Sequence, residues 1–179
     1  MDKLYSENKI PSGEVITIRT GSRQDAQKLI ALKKSYITGT TSIPLYEDEY
    51  RNTIVEEAEW IDRYNNQDNS LLLLAEYNGE VIGNIDLTGN QRRKLYHTGM
   101  IGMGIHNDWQ NKKIGSLLME TTIEWAKTSL LQIVWLEVYA SNTAGIKLYE
   151  KFGFERCGLI KDFFKEGKPI DKITMVKYL

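Results

Sequence analysis

The residues from Met100 to Met119, MIGMGIHNDWQNKKIGSLLM, allow few arrangements. A glycine-spaced apolar run ends at Ile105, a polar bend follows, and Leu117, Leu118, Thr121, Ile123 and Trp125 then recur at near-helical spacing. The reading is a strand, a tight turn and an amphipathic helix. Gln110, Asn111, Lys112, Lys113, Ile114, Gly115 and Ser116 fall at the start of that helix. The first amides of a helix lack partners within it and carry the positive end of its dipole. Such a bend can hold a pyrophosphate, with Lys112 and Lys113 adding charge and Gly115 admitting a close backbone approach. Taken alone, the stretch also fits an ordinary strand–turn–helix with a lysine-bearing cap, because short glycine motifs match by accident.

At 179 residues the chain fits one domain with a sizeable core. Its formal net charge of −1 argues against a nucleic-acid partner, which would need a basic surface. The single cysteine, Cys157, excludes an intrachain disulfide and is expected to be a small buried apolar residue. His97 and His106 stand outside any metal-ligand spacing, so no metal is expected. No secretory signal opens the chain and its apolar runs are too short for a bilayer, so a cytoplasmic location without a membrane partner is the expectation.

Residues 1–14 are polar with a Pro11–Gly13 turn, and read as a loose lead-in or a short added helix. The domain proper is expected over 15–179. Val15–Thr20 alternates as a strand, and Ser22 is placed to cap a helix over Arg23–Tyr36. The loop TGTTSIPLY leads to a second helix over Glu47–Tyr64, acidic at its start as the dipole prefers. Ser70–Tyr77 and Glu80–Leu87 are strands joined by the hairpin signal Asn78-Gly79, with Gly83 as a candidate bulge. Leu95–Ile105 is the strand that enters the bend. Gly99, Gly102 and Gly104 weaken it and point to a ligand or another backbone close by. Gln132–Tyr139, a short helix Asn142–Lys151, and a final hairpin of Phe154–Phe164 and Ile170–Tyr178 complete the chain. This order predicts an α/β fold: a mixed, mostly antiparallel central sheet of about seven strands with helices on both faces. Ligands in such sheets bind beyond strand ends, where Gln110–Ser116 and Tyr139–Asn142 would meet.

Two segments resemble the GNAT superfamily, the Gcn5-related N-acetyltransferases. The first is Ile105–Ser116, which looks like that family's coenzyme A motif, an apolar strand end followed by Gln/Arg-x-x-Gly-x-Gly/Ala. Gln110 and Gly115 match, while Lys113 replaces the first glycine. If the backbone there needs positive φ, lysine carries a conformational cost; if it is already helical, lysine is tolerated. The second is Asn142–Phe154, similar to Asn-x-x-Ala-x-x-Leu-Tyr-x-x-x-Gly-Phe, with Gly145 in place of alanine. The tail also looks like the C-terminal hairpin of the bacterial branch that acetylates small amines or protein N-termini.

The resemblance implies transfer of an acetyl group from acetyl-CoA to a primary amine in a ternary complex, with the cofactor-bearing strands splayed and a homodimer as the assembly. It implies backbone contacts to pantetheine from Met103, Gly104 and Ile105, a side-chain contact from Asn142, and pyrophosphate binding by Gln110, Asn111, Lys112, Lys113, Ile114, Gly115 and Ser116. Tyr149 matches the family's tyrosine and is the expected proton donor to the thiolate. A phenol near pKa 10 is protonated at neutral pH and close enough to a thiol near 8.5 to donate. Many relatives place a glutamate in the strand entering the bend, but Met100 stands near that place here. Glu137 is then the candidate base, on the expectation of a desolvated carboxylate in an apolar strand, a structural ion pair being equally compatible. Asp86, His97 and a water chain are weaker alternatives. The acceptor pocket is expected from the Ile37–Tyr46 loop and the final hairpin, with Tyr36, Tyr46, Tyr50 and Trp60 as candidate lining and Glu47, Asp48 and Glu49 as candidate attractors of a cationic amine. Lys113 and the missing carboxylate also leave open a non-catalytic acyl-CoA-binding domain of the same fold, or a protein-interaction module.

Overall fold

The computed structural model describes residues 4–38 and 40–179, so Met1–Lys3 of the lead-in and Gly39 of the TGTTSIPLY loop lie outside it. Its strands are β1 (Tyr5–Lys9), β2 (Val15–Thr20), β3 (Leu71–Tyr77), β4 (Glu80–Gly89), β5 (Thr98–Ile105), β6 (Ile133–Tyr139), β7 (Glu155–Glu166) and β8 (Lys168–Tyr178). They form one sheet in the order β1-β2-β3-β4-β5-β6-β8-β7. Every pairing is antiparallel except β5 with β6. The helices are α1 (Ala26–Thr38), α2 (Ile54–Asn65), α3 (Ile114–Thr128) and α4 (Thr143–Lys151). None among the described residues is long and apolar enough to cross a membrane.

The sheet separates two apolar layers. Leu71, Leu73, Ile85, Leu87 and Ile101 face α3 and α4, meeting Ile114, Leu118, Ile146 and Tyr149. Leu72 and Leu74 face α1 and α2, meeting Leu29, Leu32, Ala58 and Ile61. The leucine run of β3 is buried on both sides, which explains its lack of alternation. Asn78 and Gly79 take φ of 49° and 82°, the left-handed pair that a tight hairpin needs. In β4, Ala75 pairs with Gly83 but Glu76 pairs with Val81, so Ile82 is an extra residue beside the glycine. A side chain at Gly83 would stand 3.2 Å from Ile114 and 3.3 Å from Leu118, so the glycine lets α3 lie against the sheet.

Three expectations are corrected. The segment ahead of Val15 is neither loose nor helical: Tyr5–Lys9 pairs with β2 across the Pro11–Gly13 turn, giving an eighth strand. The helix expected over Glu47–Tyr64 is broken into a 3₁₀ turn at Glu47–Glu49 and α2. Thr53 restarts it: its hydroxyl accepts from the Glu56 amide at 3.2 Å while Glu56 accepts from the Thr53 amide at 2.8 Å. Cys157 is exposed rather than buried. It lies on the exposed first part of β7, an edge strand, so its apolar character finds no core to enter.

One ion-pair network ties the start of α1 to the sheet. Arg19 on β2 donates to Asp25 at 2.7 and 2.8 Å and to Glu76 on β3 at 2.6 Å. Asp25 also accepts from the amide and hydroxyl of Ser22, both at 2.8 Å. Burial opposes the charge on Asp25, but the bonds from Arg19 and Ser22 outweigh it and hold the carboxyl at about 2. A depressed carboxyl stabilises the fold above its unfolded value near 3.9, and that contribution disappears as pH falls through the folded value. Asp25→Asn is therefore expected to lower stability by roughly 2 kcal/mol at neutral pH and to flatten the acid-side decline between about pH 4 and 2, measured by urea unfolding.

Candidate active site

β5 and β6 pair over only three positions, ending at Met100 opposite Trp135. Past that level β5 stays bonded to β4 and β6 to β8, and the two separate. Alternate amides and carbonyls on the facing edges are left open. A cavity of about 790 Å³ occupies the gap and runs from Gln110–Ser116 to the Thr40–Pro44 loop and Phe164.

One end of the cavity is the bend before α3. The helix's own bonding begins where the Leu117 amide donates to Lys113 at 3.1 Å. The amides of Asn111 through Ser116 have no acceptor among the described residues. Asn111 and Lys113 take φ of 60° and 71°. Asparagine adopts such angles readily; lysine does so against its side-chain sterics. Gly115 sits where three elements converge, since a Cβ there would stand 3.1 Å from Ile105 and from Leu148. These features fit a diphosphate on the amides and an extended chain in the gap.

α4 closes the cavity on the α3 side of the sheet. Asn142 caps it, its Oδ1 accepting from the Gly145 amide at 2.9 Å. A Cβ at Gly145 would come within 2.8 Å of the Asn142 side chain. Two turns on, Tyr149 lines the cavity, packed edge-on against Phe154 with centroids 6.1 Å apart. Its hydroxyl has no hydrogen-bond partner among the described residues, and burial pushes its pKa up to about 12. The phenol is therefore firmly protonated at neutral pH.

The opposite face belongs to α1 and α2. Asn84 and Asp86 alternate with the buried Ile85 and Leu87, so they point to this side. They lie opposite Gly104 and Gly102 of β5. The Tyr36 ring fills the space over Gly104, where a Cβ would be 2.2 Å away, and its hydroxyl donates to Asn84 at 3.2 Å. The Asp86 carboxylate fills the space over Gly102, its oxygens 3.0 and 3.2 Å from where a Cβ would stand. Burial pushes the Asp86 carboxyl up to about 6, against the attraction of Lys33. Glu137 lies across the gap on β6 and is not desolvated: its side chain is 33% exposed and Lys172 donates to it at 2.7 Å.

The sequence-predicted residues Met103, Gly104, Ile105, Gln110, Asn111, Lys113, Ile114, Gly115, Ser116, Asn142, Glu137 and Tyr149 all line one cavity. Lys112 does not; its ammonium lies over the Trp109 ring at 4.6 Å. Of the acceptor candidates Tyr36 lines the cavity, whereas Tyr50 and Trp60 pack against the α1–α2 core. Tyr46 donates to the Lys165 carbonyl at 3.1 Å, joining the loop to the final hairpin. Asn84 was missed. Its signal is a pair of polar residues two apart on a strand otherwise apolar, Asn84 and Asp86. Among the described residues, no group of side chains can hold a metal.

Fold and cavity together define an acyl-CoA-dependent acyltransferase. The chain belongs to the acetyltransferase (GNAT) family, whose model matches residues 40–154, and it is an acetyl-CoA-dependent N-acetyltransferase. It is 28% identical to the L-amino acid N-acetyltransferase AaaT of Escherichia coli over 66% of this chain and 74% of that protein. It is 39% identical to N-alpha-acetyltransferase 30 of Dictyostelium discoideum over 62% of this chain and 60% of that protein. A GNAT acetyltransferase from Streptococcus pneumoniae has the same fold, with a TM-score of 0.89 at 32% identity, covering 92% of this chain and 99% of that one. The Salmonella typhimurium protein yncA, solved with its cofactor acetyl-CoA, superposes with a TM-score of 0.82 at 19% identity over 92% of this chain and 94% of that one.

The left-handed angle at Lys113 costs a non-glycine residue about 1–2 kcal/mol, part of which glycine returns through its freer unfolded chain. Lys113→Gly is expected to raise the stability of the free protein by about 0.5 kcal/mol, with no gain from Lys113→Ala, measured by thermal unfolding. Gly104→Ala is expected to displace the buried Tyr36 ring and lower stability by about 2 kcal/mol, visible in the same measurement.

Proposed function

We propose that this chain acetylates a primary amine, on a small molecule or a protein N-terminus, by direct attack on acetyl-CoA in a ternary complex. The observation that carries the reading is the gap between β5 and β6, open to both faces of the sheet. The bend amides, with Lys113, would hold the pyrophosphate, and the free edge of Met103–Ile105 would take the pantetheine arm as an added strand. Acetyl-CoA supplies the activated acyl group. A backbone amide of that same edge is the candidate donor to the oxygen that gains charge as the amine adds. The leaving thiolate takes a proton from Tyr149 on the α3–α4 side.

The acceptor enters from the α1–α2 side. Among the described lining residues the charged ones are Asp86, Lys113 and Glu137, and Lys113 belongs to the bend. The acceptor end therefore presents carboxylates and favours a cationic amine. AaaT is named for L-amino acids, and a Salmonella typhimurium relative for the alanine of ribosomal protein bS18. A free amino acid brings a carboxylate beside its amine, and the cations near this end, Lys33 and Lys172, are already paired with Glu57 and Glu137. Amines without an adjacent carboxylate, peptide N-termini included, fit better.

The test is release of coenzyme A thiol from acetyl-CoA across a panel of alkyl amines, peptide N-termini and free amino acids. Turnover is expected with the first two classes ahead of the third; none with any class overturns the reading. Tyr149→Phe is expected to lower kcat about 100- to 1,000-fold while coenzyme A still raises the melting temperature.

A further inference from the structure

We propose that Asp86 is the catalytic base, the group that takes the proton from the acceptor ammonium, and that β4 thereby supplies the carboxylate that β5 lacks. The proposal rests on the amine acetylation proposed above. Three observations carry it.

The first is position. Met100 is the last residue of β5 paired with β6, and Gly102 is the next residue of β5 on the same face. Asp86 is its partner on β4, so the carboxylate sits over β5 at the first open level of the gap. Gly102 has no side chain, and the oxygens of Asp86 stand 3.0 and 3.2 Å from the place a Cβ would take. A carboxylate borne by β4 thus occupies the space that a side chain on β5 would have filled. The second is availability. Asp86 lines the cavity and forms no ion pair among the described residues; its hydrogen-bonding neighbours are its own amide and the Tyr64 hydroxyl, which itself bonds Thr88 at 2.7 Å. Nearby carboxylates are spent elsewhere: Glu57 accepts from Lys33 at 2.6 Å, Asn52 at 2.8 Å and Tyr50 at 2.9 Å, and Glu137 accepts from Lys172. The third is the division of the two proton transfers between faces. Tyr149 lies in the layer under α3 and α4, Asp86 in the layer under α1 and α2. A thioester in the gap meets the acid from one side and the base from the other.

The step balances. One oxygen of Asp86 takes a proton from the ammonium, and the freed lone pair forms the bond from nitrogen to the thioester carbon. The carbon–sulfur bond breaks with its electron pair on sulfur, and the Tyr149 hydroxyl protonates that sulfur. The amide nitrogen sheds its second proton, which restores the phenol. The groups facing Asp86 are Lys33 and Tyr36 from α1 and Glu57 and Tyr64 from α2, with Gly102 on β5 contributing none. Lys33 favours the carboxylate and Glu57 opposes it, and burial keeps its titration near 6, within the range where enzyme rates are measured. The carboxylate is the working form, so rate falls as pH drops through that value.

The experiment compares kcat and the pH profile of kcat/KM for the wild type, Asp86→Asn, Asp86→Glu and Glu137→Gln, using an amine that the wild type acetylates. Asp86→Asn is expected to lower kcat at least about 100-fold, leave the coenzyme A-induced melting shift in place, and abolish the acidic limb. Asp86→Glu is expected to restore part of the rate with the limb displaced, and Glu137→Gln to keep the limb. An Asp86→Asn enzyme within about threefold of wild type, or one that retains the limb, overturns the proposal. If that variant does not melt cooperatively, Asp86→Glu decides: an unmoved limb overturns it. A wild type silent on every amine sinks the amine-acetylation reading instead, so the two failures are distinguishable.

Discussion

Past Met100 and Trp135 the two central strands no longer bond to each other, although each stays bonded on its far side. A polar backbone group buried without a partner costs about 1–3 kcal/mol, so these open edges need water or another bonding partner. Kept open, the same groups are a template for an extended chain that brings amides of its own. The remaining architecture follows from that opening. The crossover through α3 sets the bend amides at one end of the gap, and the loop before α2 with the final hairpin closes the other.

The sheet then acts as a partition. Tyr149 is held in the layer under α3 and α4, where burial keeps its phenol protonated. Asp86 and Glu137 lie on the other side, one on β4 and one on β6. Their sequence settings are alike, each an acid within an apolar strand, yet their environments differ. Glu137 is paired with Lys172 and reaches solvent, whereas Asp86 is held in the cavity wall without an ion pair among the described residues. Two small side-chain omissions make that wall. Gly104 admits the Tyr36 ring and Gly102 admits the Asp86 carboxylate. The glycines of β5 do mark close approach, but what approaches is this chain's own side chains.

Much of this was legible before any coordinates. The Asn78-Gly79 hairpin follows from backbone angles that few other pairs adopt, and the bend before α3 from the switch of apolar spacing at Ile105. Twelve of the residues that line the cavity were named from the sequence, nine of them within the family-like segments Ile105–Ser116 and Asn142–Phe154. The failures share a cause, which is that local signals carry no information about neighbours. Tyr5–Lys9 is polar and became a strand because β2 offered an open edge. Cys157 is apolar in character and stayed exposed because β7 is the last strand of the sheet.

The chain's own residues determined the elements, their order, the bend before α3 and the tyrosine of α4, because turn chemistry, capping and hydrophobic period act over a few neighbouring positions. Whether Lys113 would be helical or left-handed was open in the sequence, and the entry of the backbone into α3 decided it at φ 71°. Which carboxylate stands free over the gap was also decided only by the fold. Register across β4 and β5 sets Asp86 against a glycine, and register across β6 and β8 sets Glu137 beside a lysine, pairings between residues far apart in the chain that no local pattern encodes.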